Sequence, residues 1–140
     1  MTTSGVTQMF SYSLTGVDTA CSTGAGSAGN SCGIHIHSGM SCSADALGHY
    51  YTGSVMSDPW TSVHYTSASD GTASGTLMVT TGGTAGDVAG RTMIIHDYEG
   101  VRVACATLTP VAQPPLRGST VGPYFEYTGT LVRMLCVPPR

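Results

Sequence analysis

Two histidines separated by a single residue, His35 and His37 in Gly33-Ile34-His35-Ile36-His37, are the residues of this chain best placed to do chemistry. In an extended strand, residues two apart point to the same face with Cα atoms about 6.6 Å apart. His35 and His37 would then project side by side, while Ile34 and Ile36 fill the opposite, apolar face. Two imidazoles on one strand can chelate a metal ion without relying on loop flexibility. Two further histidines strengthen that reading. His96 closes the apolar run Met93-Ile94-Ile95-His96, and His49 lies in Gly48-His49-Tyr50, inside a long loop that follows His37. Each alone reads as an exposed loop or strand-end histidine; the four together point to a metal site. The fifth, His64 in Val63-His64-Tyr65, stands on the face opposite its two apolar neighbours and reads as solvent-facing.

The elements that must position these groups are short strands. Val6, Gln8, Phe10, Tyr12 and Leu14 alternate with Thr7, Met9, Ser11 and Ser13, the period-two pattern of a half-buried strand. Residues 18–32 are rich in Gly, Ser and Ala and read as a loop. Ile34–His37 is a strand, followed by a long polar connection from Ser38 to about Pro59. Val63–Ser67 and Ala73–Thr80 are expected as strands flanking the turn signal Ser69-Asp70-Gly71. Arg91–His96 and Arg102–Leu108 read as a hairpin joined by Asp97-Tyr98-Glu99-Gly100. Beyond Pro110 the chain is Pro-rich until Tyr124, and Thr128–Leu135 is a last apolar strand. That makes roughly seven short strands and no convincing helix, the signature of an all-β sandwich or barrel.

Composition agrees and excludes several classes. The chain has 140 residues, enough for one domain with one core. Only 9% of residues are charged, and the net charge of -3 comes without a basic run, so nucleic acid or an anionic membrane surface has no electrostatic support as a partner. No apolar stretch approaches the ~20 residues of a spanning helix. Met1-Thr2-Thr3-Ser4-Gly5 lacks the charged-then-apolar layout of a signal peptide, so the signal is removed or the chain is a piece of a longer one. Five cysteines among so few charges favour an oxidising compartment. Cys21 and Cys32 bracket a Gly/Ser-rich loop, and pairing them would contribute roughly 2–3 kcal/mol by chain entropy.

The segments Gly33-Ile34-His35-Ile36-His37, Cys42, Gly48-His49-Tyr50, Ala89-Gly90-Arg91-Thr92-Met93-Ile94-Ile95-His96-Asp97 and Arg102-Val103-Ala104-Cys105 resemble, in order and local spacing, those of copper/zinc superoxide dismutases. The resemblance covers about residues 5–108. It implies a Greek-key β-sandwich, one copper per chain held by His35, His37, His49 and His96, and a disulfide between Cys42 and Cys105. It also implies tight backbone at Gly33 and Gly48, and Arg102 beside the copper to guide the superoxide anion. Cys136 is then the odd thiol.

The departures from that family are equally specific. Residues 50–62 contain no histidine and a single carboxylate, Asp58, so a four-ligand zinc site cannot be assembled there and zinc is not expected. Only Asp97 to Val101 separates His96 from Arg102, where the family has a long charged loop. Both losses resemble the copper-only, extracellular branch, often built as tandem repeats. Without zinc, His49 needs another partner to orient it, Asp58 or a main-chain carbonyl. Asp97 and Glu99 are expected to oppose part of the Arg102 field. The family's two strands before the one matching Val6–Leu14 have no counterpart, so Thr128–Leu135 either replaces a missing strand or opens a neighbouring repeat.

The reading is therefore one superoxide dismutase-like domain over residues 1–140, with 109–140 a linker and a rearranged terminal strand. The expected activity is disproportionation of superoxide by copper cycling between two oxidation states. The alternative is a copper-binding or structural repeat module of an extracellular protein without turnover.

Overall fold

The structure, a computed structural model, describes residues 6–109. Five strands account for most of its regular structure: β1 (Thr7–Thr15), β2 (Ile34–His37), β3 (Thr72–Thr80), β4 (Thr92–His96) and β5 (Arg102–Thr107). They form two antiparallel sheets, β1-β3 and β2-β4-β5, and the fold class is all-β. The alternation at the start of the chain is realised in β1, where Gln8 and Phe10 are buried, Tyr12 and Leu14 half-buried, and Met9, Ser11 and Ser13 exposed. β1 pairs with β3 over nine residues, from Thr7 opposite Thr80 to Thr15 opposite Thr72.

The core lies between the two sheets. Phe10, Ala73 and Val79 come from the two-stranded sheet, and Ile34, Ile36 and Ile95 from the three-stranded one. Between them Trp60 and Tyr65 are fully buried, each with its polar end satisfied. The Trp60 indole N–H donates to the Tyr50 carbonyl at 2.7 Å, and the Tyr65 hydroxyl donates to the His96 carbonyl at 2.8 Å. Burial, ahead of the nearby Asp18 charge, pushes the Tyr65 hydroxyl up to about 12, so it stays a donor at any physiological pH.

All four residues of β2 are buried, which places it centrally, with apolar packing on one face and the loop that follows it on the other. That loop leaves at Ser38, returns to bond β2 at Tyr50 (its N–H donating to the Ile36 carbonyl at 2.8 Å), and reaches Trp60. Two disulfides pin the long connections: Cys21–Cys32 across the Gly/Ser-rich loop, and Cys42–Cys105 between this covering loop and β5. Such pairings fit an oxidising environment. Among the described residues no helix is long and apolar enough to cross a membrane.

Three expectations need correction. Val63–Ser67 is not a strand: it makes one bridge, His64 opposite Gly33, and its backbone N–H groups otherwise go to scattered partners, Tyr65 N–H to the Cys32 carbonyl at 2.9 Å, Ser67 N–H to the Cys21 carbonyl at 3.4 Å and Val63 N–H to the Trp60 carbonyl at 2.9 Å. Its alternation is met by burying Tyr65 and Ser67, not by pairing along a neighbour. The loop 18–32 contains a 3-10 turn, Thr19–Thr23, capped by Asp18. A one-turn helix, α1 (Ala85–Val88), sits where only loop was expected; its capping box, Thr84 with Asp87, is visible in the sequence. The strand expected at Thr128–Leu135 and Cys136 lie outside the described residues.

Candidate metal centre

Pairing explains how four histidines from three segments meet. In β2, His35 lies opposite Ile94 and His37 opposite Thr92, so both share a face with the even-numbered residues of β4. His96 belongs to that same face, and its backbone N–H donates to the Gly33 carbonyl at 2.9 Å. On the other edge of β2, His49 forms an antiparallel bridge with His37, which brings it in beside that residue. The centroids of the His35 and His49 rings are 4.4 Å apart, those of His35 and His96 5.1 Å, and those of His37 and His49 5.0 Å.

One ligand atom from each of His35, His37, His49 and His96 lies within 4.8 Å of all the others. Two imidazole nitrogens on opposite sides of a metal ion are about 4 Å apart, so the ring needs little contraction to bind. His64 is exposed on its bridge to Gly33 and takes no part.

The hydrogen bonds fix which nitrogen each ring offers. The His35 Nε2, His37 Nδ1 and His96 Nδ1 atoms lie 2.7, 2.7 and 2.9 Å from the carbonyl oxygens of Val63, Leu47 and Gly100. A carbonyl only accepts, so each of these nitrogens carries the proton. The opposite nitrogens, His35 Nδ1, His37 Nε2 and His96 Nε2, are buried with no hydrogen-bond partner among the described residues. Three orphaned buried acceptors aimed at one point would be costly in a core meant to stay empty. They fit a metal ion, and a second shell of this kind is what orients histidine ligands.

His49 is oriented differently. Its Nδ1 lies 2.7 Å from Asp58 Oδ2, and the other oxygen of that carboxylate accepts the Trp60 N–H at 2.9 Å. Asp58, not a main-chain carbonyl, is thus the group that holds His49. The backbone N–H of the buried Trp60 and the cluster ligand are tied through one carboxylate.

Burial keeps three of the ligands, His35, His37 and His96, neutral. Burial, then the charges of neighbouring histidines, pushes His35 down to about 3. Burial likewise lowers His37 to about 4 and lowers His96. In the metal-free protein these rings refuse a proton that the unfolded chain accepts near 6.5. Below that value the unfolded state binds more protons, so stability falls with falling pH. Metal-free protein is expected to keep its full stability above about pH 6.5 and lose it progressively toward pH 4, with a slope of up to about 1.4 kcal/mol per pH unit for His35 alone. Urea unfolding of chelator-treated protein measures this; a flat profile across that window would contradict neutral, buried rings.

Arg102 reaches the site through an irregularity. β5 pairs with β4 as Ile94 opposite Cys105 and Ile95 opposite Ala104, then slips so that Arg102, not Val103, faces His96. Without the slip Arg102 would fall on the other face. Its guanidinium donates to the Leu47 carbonyl at 2.6 Å and to Asp45 Oδ1 at 3.0 Å, in a pair that is largely exposed. Asp45, rather than the expected Asp97 or Glu99, is therefore the counter-charge; Asp97 caps the backbone of Val101 instead.

An open cleft of about 380 Å³ runs over His37 and His49, bordered by Asn30, Gly48, Tyr51, Asp58 and Arg102. Gly33 is required where it stands, because a side chain there would collide with the His35 ring. Gly48 is not, since a Cβ there meets only open space.

Several supporting residues carry no local sequence signal. The carbonyls of Val63, Leu47 and Gly100 could not be foreseen, since any residue type supplies them. Arg91 stacks on the Tyr50 ring, 3.9 Å from its centroid, and donates to the Ser38 carbonyl, tying the start of the covering loop to its return at Tyr50. Comparison with protein-family models, with curated proteins and with solved structures finds no match for this chain.

Proposed function

We propose that this protein is a copper-only superoxide dismutase with a Greek-key β-sandwich of the type found in copper/zinc superoxide dismutases. The observation that carries the reading is the convergence of four imidazole nitrogens, three of them buried and otherwise unpartnered, beneath a cleft bordered by an arginine. Imidazole suits copper, which tops the affinity order of divalent first-row ions. When bound, copper supplies a one-electron couple by which one superoxide is oxidised to dioxygen and a second, with two protons, is reduced to hydrogen peroxide.

The chain's own residues do the rest. His35, His37 and His96 hold their positions through carbonyls that cannot reorient, and His49 holds its own through Asp58. Arg102 sets a positive charge at the cleft, where a small anion is drawn in. The carboxylate of Asp58 takes the role that a zinc ion would have in orienting His49. The two disulfides support an extracellular location.

Arg102→Ala is expected to slow dismutation about three- to tenfold at low salt, and Asp45→Asn, which removes the opposing charge, to raise the rate modestly. Pulse radiolysis of copper-loaded protein checks both, and equal rates in all three proteins would remove Arg102 from the function. Because Asp45 offsets part of the Arg102 charge, a copper-holding module without useful turnover is the second reading. The deciding experiment is metal analysis and electron paramagnetic resonance after loading with copper and zinc together. One copper per chain with a histidine-nitrogen signature, together with fast dismutation, supports the enzyme. The same signature with a background rate supports the holding module, and no stoichiometric copper defeats both.

A further inference from the structure

The side chains of β1 and β3 divide between two faces. Phe10 and Val79 point into the core, and Met9, Ser11, Thr76 and Met78 point outward. Neither strand contains a charged residue. The outward face is built in cross-strand rows, and all but one hold only Ser and Thr. Thr7 Oγ1 lies 2.9 Å from Thr80 Oγ1, and Ser11 Oγ lies 3.2 Å from Thr76 Oγ1. Between these two hydroxyl rows stands one of a different kind, Met9 directly opposite Met78.

Packing does not account for that row. Met9 is 39% exposed and Met78 67%, so neither thioether is spent on filling the core. Strand preference does not account for it either, since Thr suits a pleated surface and would continue the hydroxyl ladder. What the row does provide is a pair of soft donors. Residues directly opposite have Cβ atoms roughly 4.5–5.5 Å apart. From that base the unbranched methionine side chain can bring both sulfur atoms onto one ion. Thioethers are uncharged, polarisable donors and suit Cu(I), whereas oxygen ligands suit magnesium and calcium.

We propose that Met9 and Met78 form a surface site for a soft univalent ion, Cu(I), held between their two sulfur atoms. Two neutral donors on an open face hold such an ion reversibly. The row faces away from the core, which separates this sheet from the strands that carry the histidine cluster. The site is therefore distinct from that centre, and the inference stands whatever the cluster binds.

Nuclear magnetic resonance of the full, metal-free chain with isotope-labelled methionine methyl groups tests it, with silver(I) as a soft univalent probe that does not change oxidation state. The Met9 and Met78 methyl signals are expected to move together and to saturate at one ion per pair. They should do so before those of Met40 and Met56, exposed methionines of the covering loop. Silver taken up by the histidine cluster lies across the core and leaves these signals in place. Met9→Leu keeps the size and apolar character of the side chain. It is expected to raise the silver concentration that moves Met78 at least about tenfold, because the second donor is lost. Met78→Leu should do the same to Met9. Cu(I) added without oxygen should move the same two signals. Movement of all four methyls at one concentration, or of Met78 regardless of Met9→Leu, would show independent thioethers and overturn the site. No movement with silver, or movement with silver and none with Cu(I), would overturn it equally.

Discussion

Replacing His35 with alanine is expected to lower copper affinity by more than about 100-fold and to reduce dismutation to the background of free metal. His35 is buried, its ring stands nearest that of His49, and its Nε2–H is held by the Val63 carbonyl. Loss of a ligand exceeds loss of an orienting partner, which alone typically costs 10–100-fold in metal affinity. The proper control is His64→Ala, an exposed histidine outside the cluster, which should bind copper as the parent does. Titration against a competing chelator, with the resonance spectrum as readout, separates the two. If His35→Ala kept one tightly bound copper with an unchanged histidine-nitrogen pattern, the metal would sit elsewhere and the cluster would lose its assignment.

Removing the Cys42–Cys105 disulfide by double substitution with serine should destabilise the metal-free protein by about 4 kcal/mol, against about 3 kcal/mol for the Cys21–Cys32 pair. The difference follows from the closures, 63 residues apart in sequence for the first and 11 for the second. Both doubles are best made in a Cys136→Ser background, which prevents thiol exchange. The first loss should also weaken copper binding, because Cys42 belongs to the loop that carries the Leu47 carbonyl and His49. The second should leave binding nearly intact, since its loop provides no ligand. Urea unfolding and copper titration of the two doubles give the comparison. A reversed order of stability would contradict the chain-entropy account, and unchanged copper affinity in the first double would show that the loop holds its place without the tether.

The two effects depend on different parts of the molecule. The ligand face is made by strand pairing, whereas the lid over it is a long loop that must be fastened. The loop 38–60 makes only isolated bonds to β2, so its position rests on the disulfide, on Arg91, and on the buried Trp60. The Trp60 indole holds the Tyr50 carbonyl, and its backbone N–H holds Asp58, which in turn orients His49. Core packing and ligand geometry are therefore coupled through one residue.

Alternation alone was enough to read part of this protein. Period two put His35 and His37 on one face with Ile34 and Ile36 on the other, and the same rule made β1 a half-buried strand, because pleating is a property of the extended backbone itself. The all-β class and the β4–β5 hairpin were legible for the same reason: they depend on neighbours in sequence. Val63–Ser67 alternates equally well yet is no strand, since a strand needs a backbone partner along its length and this segment has a single bridge, to Gly33 just before β2.

What neighbours in space provide stayed out of reach. Asp58 was one of two options for His49, and only the bridge between His37 and His49 placed the loop so that its carboxylate arrives. Asp45 was not foreseen as the partner of Arg102, because the two are 57 residues apart and meet across the lid. The slip in β5 that turns Arg102 toward His96 has no mark in the local sequence, as register is settled by the whole pairing. Residue types and period-two spacing were enough to say which groups could bind a metal and which strand faces would carry them. Tertiary structure alone decided which nitrogen each ring presents, because that choice is made by carbonyls and a carboxylate brought in from distant segments.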